Sequence, residues 1–231
     1  ILRFGEHKDS VFNVGSLVCE RTHTIVSLNR KDICDLYGLD NSKKFVLIDI
    51  APDPVLGSKN EQAVTELMQM FEKDSFQDMQ IVFNPPESAG LGKMVSRTIS
   101  NFAAACPQRI ISKPLNGLTQ LVRLMDHCEL VLTNKPDSLM SARTRNKKAI
   151  HICLAEKAAA CLHCKGVSDT ENTKEHEYSA VPSVANTPDS LNYQIPDHYT
   201  GKTSEKIKEI IKACDPGQIL PKTYYSQVLQ Q

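Results

Sequence analysis

The sequence predicts an α/β protein with a Rossmann-like, doubly wound parallel sheet. Between residues 45 and 154, five short apolar segments rich in strand-forming residues alternate with amphipathic segments of helical period. Each strand segment is almost continuously apolar, as expected of parallel strands that are buried on both faces. Regular alternation of this kind is typical of consecutive βαβ units.

The five predicted strands are short and follow one another at regular distances. They comprise residues 45–50, 79–83, 109–112, 129–132 and 149–154. Between them, apolar residues recur every three or four positions over stretches of about 10 to 14 residues, an ordinary helix length. Helices are therefore predicted at residues 60–73, at 92–105 and after Asn116, with Asn116 as the N-cap.

The segments around this block are expected to be less regular. Residues 1–44 are interpreted as a linker segment with one possible strand at 23–28 and one short helix at 31–37, which ends at Gly38. The predicted domain covers residues 45–213 and includes a long polar loop at 155–199, and residues 214–231 form a tail. A last helix begins at Thr203 or Ser204, with Glu205 in its first turn. Its predicted buried stripe comprises Ile207, Ile210, Ile211 and Cys214.

Composition excludes several classes of function. The 27 basic residues are balanced by 27 acidic ones, so no global field attracts nucleic acid or an anionic membrane. Trp is absent and aromatic residues make up only 6% of the chain, which further disfavours nucleic-acid binding. No apolar run approaches the roughly 20 residues that cross a bilayer. Since the sequence starts at Ile1 instead of Met, we interpret it as trimmed or excised from something longer.

The eight cysteines indicate a reducing compartment. They lie mostly inside apolar segments, which predicts small buried thiols instead of a disulfide framework. Examples are Cys34, Cys106, Cys128, Cys153 and Cys214. A cytoplasmic location is therefore expected.

The strand positions determine where chemistry is expected. In an open α/β sheet, ligands bind outside the carboxyl ends of the strands, where helix N-termini offer free backbone N–H groups. The corresponding loops cover residues 51–60, 84–93, 112–119 and 133–142. A lysine at a helix start, such as Lys59, suits a phosphate, although an exposed surface lysine is the more common case. The other polar candidates, each also typical of a helix cap or surface, are Glu87, Thr119, Asn134, Asp137 and Ser138.

Standard phosphate-binding motifs are absent from these loops. The loop at residues 84–93 fails as a Walker A motif, because Glu87 stands where Gly is needed and Met94 follows Lys93. No GxGxxG fingerprint occurs, which argues against a standard nicotinamide or flavin dehydrogenase.

Two segments nevertheless resemble a known enzyme family. Residues 115–134 read LNGLTQLVRLMDHCELVLTN, and residues 137–142 read DSLMSA. This is similar to the Gly-x-Thr-x-Leu helix start, helix, strand and Asn-Asp-Ser-Gly-x-Met-His pattern of ADP-heptose lipopolysaccharide heptosyltransferases and other members of glycosyltransferase family 9. Lys59 after Ile50-Ala51-Pro52, and Glu87 after the second strand, agree in order and spacing.

The resemblance implies the carboxy-terminal, donor-binding half of a GT-B glycosyltransferase. Its substrate would be a nucleotide-diphosphate sugar similar to ADP-heptose, used without a cofactor for inverting sugar transfer in lipopolysaccharide biosynthesis. The implied partners are a glycan or glycolipid acceptor, with peripheral membrane association of the full enzyme.

The resemblance also implies roles for individual residues. Lys59 would contact the diphosphate or sugar, Glu87 the nucleoside and Thr119 the phosphates. In the loop after the fourth strand, Asn134 would contribute with Asp137 and Ser138 to binding of the phosphate and sugar. Family members carry their catalytic aspartate in the amino-terminal half, so no catalytic residue is expected in this chain, which alone should not turn over.

Two alternatives from other classes compete with this interpretation. Lys135 and Pro136 are inserted between Asn134 and Asp137 relative to the family pattern, which favours a catalytically degenerate module with a binding or scaffold role. Separately, Cys161, His163 and Cys164 form a CxxC with an internal histidine, which is half of a zinc site, although buried or spare thiols explain the motif as well.

Overall fold

The computed structural model describes residues 1–71, 76–86, 89–152, 201–215 and 217. Within this part of the chain, five strands form one parallel sheet with the order β3-β2-β1-β4-β5. The strands are β1 (Phe45–Asp49), β2 (Gln80–Asn84), β3 (Ile110–Ser112), β4 (Leu130–Thr133) and β5 (Ala149–His151). Successive strands are added first on one side of β1 and then on the other, which confirms the predicted Rossmann-like, doubly wound fold.

Except for α1, which was not predicted, the described helices agree with the expected elements. They are α1 (Leu17–Thr24), α2 (Arg30–Tyr37), α3 (Asn60–Met70), α4 (Leu91–Ala105), α5 (Leu118–Met125), α6 (Pro136–Thr144) and α7 (Thr203–Ala213). Asn29 caps α2 by accepting from the backbone N–H of Asp32, and Gly38 ends it in the left-handed conformation. Of the helices in the described ranges, none combines the length and apolar character needed to cross a membrane.

The chain divides into two compact units. One comprises Ile1–Arg21 with the described residues of Ile195–Gln231, and the other comprises the described residues of Thr22–Gln194. The second unit contains the whole five-stranded sheet and helices α2 to α6.

Apolar side chains cover both faces of the sheet. On one face, Val46 and Ile48 of β1 pack in a cluster with residues of α3 and α4, including Leu67 and Ile99. On the other face, Leu47 belongs to a cluster formed with α2, α5 and α6. Because helices cover both faces, alternate residues of β1 are equally buried, and the strand is apolar without alternation.

Two local expectations are wrong. The strand expected at 23–28 does not form, because His23 and Thr24 finish helix α1 and no strand of the sheet pairs with this segment. Asn116 is not the N-cap of α5, which follows Gly117 instead. The backbone N–H of Asn116 donates to Oε1 of Gln120 at 2.8 Å, so the cap interaction comes from a side chain one turn into the helix.

The buried stripe expected on α7 is also wrong. Ile211 is 66% exposed, Cys214 is exposed, and Ile207 and Ile210 are only partly buried. Together with Val11 and other residues of the same unit, the isoleucines line an open apolar groove. Helical periodicity identified the apolar side of α7, but periodicity does not supply a partner for it.

The prediction of buried thiols is correct for some cysteines only. Cys34 and Cys128 are buried as expected, and burial raises the pKa of both thiols, that of Cys128 to about 12. Cys106 and Cys214 are exposed. They follow the last residues of α4 and α7, where the chain leaves the helix, so an apolar sequence neighbourhood did not bury them. Cys153 lies outside the described residues.

Candidate functional site

The carboxyl ends of the strands bring several polar residues together. Asp49 ends β1, where it lies opposite Asn84 of β2 and Thr133 of β4. Thr133 in turn lies opposite His151 of β5. We call this side of the sheet the carboxyl edge. The chain order of the strands reverses between β1 and β4, which is the point where open α/β sheets bind their ligands.

Asp49 is the most deeply buried charged residue at this edge. Its side chain is 1% exposed, and Oδ1 accepts hydrogen bonds from Lys135 Nζ at 2.6 Å and Asn84 Nδ2 at 2.7 Å. Ser138 Oγ donates to Oδ2 of the same carboxylate. A carboxylate withdrawn from water is tolerated only with such partners, so Asp49 holds β1, β2 and the start of α6 together.

Hydrogen bonds also connect the loops that follow β1 and β4. The side-chain amide of Asn134 accepts from the backbone N–H of Ala51 at 2.8 Å and donates to the carbonyl of Ala51 at 2.8 Å. Thr133 Oγ1 donates to the carbonyl of Asp49 at 2.6 Å and accepts from the backbone N–H of Lys135 at 3.0 Å. These bonds hold together the loops at the switch point between β1 and β4, which is hereafter called the β1–β4 crevice.

Two asparagines order the neighbouring loops in the same way. Asn84 Oδ1 accepts from the backbone N–H of Leu115 at 3.0 Å, which connects β2 to the loop after β3. Asn60, which is fully buried, accepts from the N–H of Asp53 and donates to the carbonyls of Asp53 and Gly57, each at 2.8 Å. The side chain of Asn60 therefore holds the loop after β1 in one conformation through hydrogen bonds to its backbone.

Among the described helices, α4, α5 and α6 start at the carboxyl edge without a cap bond from the side chain of the N-cap residue, and so does α3, which continues a 3-10 turn at Gly57–Lys59. The N-cap residues are Gly90 for α4, Gly117 for α5 and Lys135 for α6. Gly90 and Gly117 have φ angles of 52° and 80°, which L side chains rarely adopt, so glycine is needed at both positions. In the first turn of α4, the N–H groups of Gly92 and Lys93 already donate to Ala89 and Gly90, and Pro136 at the start of α6 has no N–H. The helix dipoles and the remaining N–H groups, chiefly those at the start of α5, favour an anion such as a phosphate.

His151 adds a titratable group at the end of β5. Burial lowers the pKa of the imidazole, and this effect outweighs a backbone hydrogen bond with Asn134 that raises it. Nδ1 of His151 is buried and makes no hydrogen bond to any residue of the described ranges. The ring is therefore held in its neutral form at neutral pH.

The predicted site residues occupy different environments. Asn134 and Ser138 belong to the network at the β1–β4 crevice, where their side chains bond Ala51 and Asp49. Thr119, partly buried, and Asp137, exposed, lie in the first turns of α5 and α6.

Of the remaining candidates, Lys59 makes no hydrogen bond to this network in the described contacts. Lys59 is exposed and, with Gln62 and Thr65, lines an open depression beside α3. Glu87 and the motif of Cys161, His163 and Cys164 lie outside the described residues. Within the described residues, no group of three or more His, Cys, Asp or Glu side chains is placed to hold a metal ion.

Sequence reasoning missed the residues that organise the edge. Asp49 was counted as part of an apolar strand, and Lys135 was considered only as an insertion. A single charged residue at the end of an otherwise fully apolar strand is the signal that identifies Asp49. No comparable signal marks Asn84, because asparagine after a strand is common in turns.

A comparison with protein families gives one match. The model of the family described as UDP-N-acetylglucosamine 2-epimerase matches residues 1–212 of the chain. No curated protein sequence matches it.

Several solved structures share the fold at low sequence identity. The UDP-GlcNAc 2-epimerase of Methanocaldococcus jannaschii, in complex with UDP-GlcNAc and UDP, aligns with a TM-score of 0.65 at 16% identity over 92% of this chain and 57% of its own. The Neisseria meningitidis enzyme bound to UDP-GlcNAc gives 0.64 at 14% identity over 92% and 58%. Staphylococcus aureus MnaA with UDP gives 0.62 at 18% identity over 91% and 56%. The chain thus spans less than two thirds of the length of these proteins.

The expected heptosyltransferase of glycosyltransferase family 9 is therefore wrong, and so are sugar transfer and a role in lipopolysaccharide synthesis. The residues behind that resemblance are the strand and helix start around α5, β4 and α6. Any fold of this type needs apolar strands and small or polar helix starts at the carboxyl edge, so the pattern identifies the fold without distinguishing the reaction.

Proposed function

Because the chain belongs to the UDP-N-acetylglucosamine 2-epimerase family, we propose that it binds a UDP-sugar at the carboxyl edge of its sheet, as the nucleotide-binding half of such an enzyme. The observation that carries this proposal is the group of three helix starts without side-chain caps, those of α4, α5 and α6, at one edge. Their helix dipoles, with the N–H groups that are not already bonded within the first turn, suit the phosphates of a nucleoside diphosphate. The structures named above, which contain UDP-GlcNAc or UDP, support uracil as the base.

The proposed reaction is inversion of one stereocentre of the bound sugar, which needs no acceptor. An inversion by acid–base catalysis removes a proton from carbon and returns it to the opposite face. Asp49, the buried carboxylate at the edge, is engaged by three donors, Lys135, Asn84 and Ser138. We therefore assign to these residues the shaping of the binding site and not proton transfer.

Roles for the predicted site residues follow from their positions. Thr119 and Asp137 lie in the first turns of α5 and α6, where a phosphate would approach, and we propose that Thr119 contacts it. Asn134 and Ser138 would act by holding the loops, since their side chains bond Ala51 and Asp49. Contacts of Lys59 and Glu87 with the nucleotide, and a cytoplasmic location, also remain part of this proposal.

The test is calorimetric titration of the chain with UDP, UDP-GlcNAc and ADP. We expect both uracil nucleotides to bind and ADP to bind at least tenfold more weakly. Thermal unfolding gives an independent readout, since a ligand at 100 times its Kd adds about 2.7 kcal/mol of stability. A folded sample that binds neither uracil nucleotide contradicts the proposal.

Two lysine variants make the test specific to the carboxyl edge. Lys59→Ala should weaken UDP binding about tenfold, as loss of one charged contact does. Lys44→Ala is the matched control, because Lys44 directly precedes β1 and therefore lies at the opposite edge, beside Glu129. Equal effects of the two substitutions would argue against the assigned site. Turnover of UDP-GlcNAc, measured afterwards, separates an epimerase from a module that only binds.

A further inference from the structure

We propose that Asp49 determines specificity at the nucleotide site, by limiting the negative charge that the β1–β4 crevice accepts. The inference rests on the proposed function and concerns the choice between a UDP-sugar and free UDP. A nucleotide sugar carries about one negative charge less than the free diphosphate, because its terminal phosphate is esterified and lacks the ionisation near pH 6.

The argument starts from the position of Lys135. It is the N-cap residue of α6 and thus stands at a helix start that suits an anion. Its Nζ lies 2.6 Å from Oδ1 of Asp49, so the charge of this lysine is not free to bind a phosphate. The positive charge at this helix start is therefore already balanced.

The pair is expected to persist when a ligand binds. Asp49 is 1% exposed, and its other two donors, Asn84 and Ser138, are neutral. Moving Lys135 to a phosphate would leave a buried carboxylate without a counter-charge, which is far more costly than leaving a surface lysine unpaired. Lys135 can still offer its remaining N–H donors to a ligand, since its side chain is 31% exposed.

The positive charge of Lys135 at this site is therefore neutralised by the buried carboxylate of Asp49. Asp49 lies directly behind the Lys135 ammonium group and therefore cancels most of the attraction that the lysine would otherwise exert on each extra negative charge of the ligand. The helix starts still favour phosphate oxygens, so the diphosphate of a UDP-sugar is accepted. The additional charge of free UDP therefore gains less affinity than it would from an unpaired lysine, by a factor on the order of ten.

The experiment is calorimetric titration of the wild-type chain and Asp49→Asn with UDP, UDP-GlcNAc and inorganic pyrophosphate. Asparagine keeps the shape of the side chain and removes its charge. We expect Asp49→Asn to bind UDP and pyrophosphate at least tenfold more tightly than wild type, and UDP-GlcNAc with a smaller gain. A gain of affinity is an outcome that damage to the fold does not produce.

A matched control and a variant of opposite sign complete the test. Glu129→Gln also removes a carboxylate paired with a lysine, Lys44 at 3.3 Å, but Glu129 precedes β4 at the opposite edge. It should leave all three affinities unchanged. Lys135→Met leaves the charge of Asp49 without a counter-charge. It should weaken the binding of UDP more than that of UDP-GlcNAc, which is the opposite of the effect expected for Asp49→Asn.

The outcomes separate this inference from the proposed function. Uracil nucleotides that bind wild type, with no gain for UDP in Asp49→Asn, overturn the role of Asp49 and leave the proposed function intact. A gain for pyrophosphate without binding of either uracil nucleotide supports the role of Asp49 and contradicts the proposed function. Failure of every probe to bind either protein overturns both.

Discussion

Lys135 Nζ lies 2.6 Å from Asp49 Oδ1, and the two side chains of this ion pair are unequally buried, 31% and 1% exposed. The residues are 86 positions apart in the chain and meet because β1 and β4 are neighbours in the sheet. Because of this unequal burial, loss of the partner destabilises the Asp49 charge more than the Lys135 charge. Lys135 can return to water, whereas Asp49 cannot.

Substitutions of this pair should therefore differ in their cost to stability. Lys135→Met leaves a buried charge unpaired and should lower the free energy of unfolding by about 3 kcal/mol. Asp49→Asn should cost less, because the lysine left behind can be solvated. Urea unfolding of both variants measures the difference. An equal loss, or a larger loss in Asp49→Asn, would show that Lys135 does not compensate the buried charge.

The paired hydrogen bonds between Asn134 and Ala51 predict a second effect on stability. Asn134→Ala removes both bonds and leaves a half-buried N–H and carbonyl without partners, so we expect a loss of about 1–3 kcal/mol. Asn116→Ala is the control, since Asn116 is exposed and only its backbone is engaged in the described contacts. The prediction is contradicted if both variants unfold at the same urea concentration.

Asp126 predicts a loss of stability in acid. Burial raises the pKa of this carboxyl, but hydrogen bonds from Arg145 and Ser27 outweigh burial and hold the pKa below its ordinary value of 3.8. The group therefore adds stability above pH 3.8, and this contribution disappears as the pH falls through the lower folded-state pKa. Asp126→Asn should cost about 2 kcal/mol at neutral pH and nearly nothing in strong acid.

Urea unfolding of wild type and Asp126→Asn across this pH range provides the measurement. Asp35→Asn serves as the control, because Asp35 is exposed on α2. If the difference between wild type and Asp126→Asn stays constant down to strong acid, the ion pair with Arg145 is not its cause.

His151 predicts a second pH dependence, near neutrality. Burial lowers the pKa of the folded-state imidazole below 6.5, so the unfolded chain takes up a proton that the folded chain resists. Stability should therefore decrease as the pH falls below 6.5 through the folded-state pKa. His151→Val, which retains a strand-forming residue in β5, should reduce this decrease, whereas exposed His23→Gln should not. Unfolding at about pH 7.5 and about pH 5.5 tests the prediction.

The described cysteines should differ in reactivity. Cys106 is exposed, whereas Cys128 is buried, and burial raises the pKa of its thiol to about 12. Because the thiolate is the reactive form, brief treatment with iodoacetamide should modify Cys106 and spare Cys128 until the chain is unfolded in urea. Peptide mass spectrometry reads out both sites. Modification of Cys128 at the same rate as Cys106 in the folded protein would contradict its burial.

Much of the fold could be predicted from sequence because it depends on local periodicity. The run of apolar residues around β1 and the helical spacing of α3 are properties of neighbouring residues, and both elements form close to the predicted bounds. Residues 23–28 pair with no described strand, and the carbonyls of Ile25 and Val26 accept hydrogen bonds from Arg145 and Arg123 instead. On α7, helical spacing alone likewise did not predict that Ile211 is exposed.

The site was less accessible to prediction. The helix-start and strand pattern around α5 and β4 suits any protein of this fold, and it led to the wrong family. Asn134 and Ser138 were predicted to be site residues, but nothing local indicates that their side chains bond Ala51 and Asp49.

The sequence by itself determined the strands, the helices between them and the edge of the sheet where polar loops gather, because hydrophobic period and turn residues act over a few positions. Only the tertiary structure decided which polar residues meet there. The strand order places β4 beside β1, which brings Lys135 to Asp49 and Asn134 to Ala51. Burial and charge pairing depend on neighbours in space, and residues separated by 86 positions carry no mark of one another in the chain.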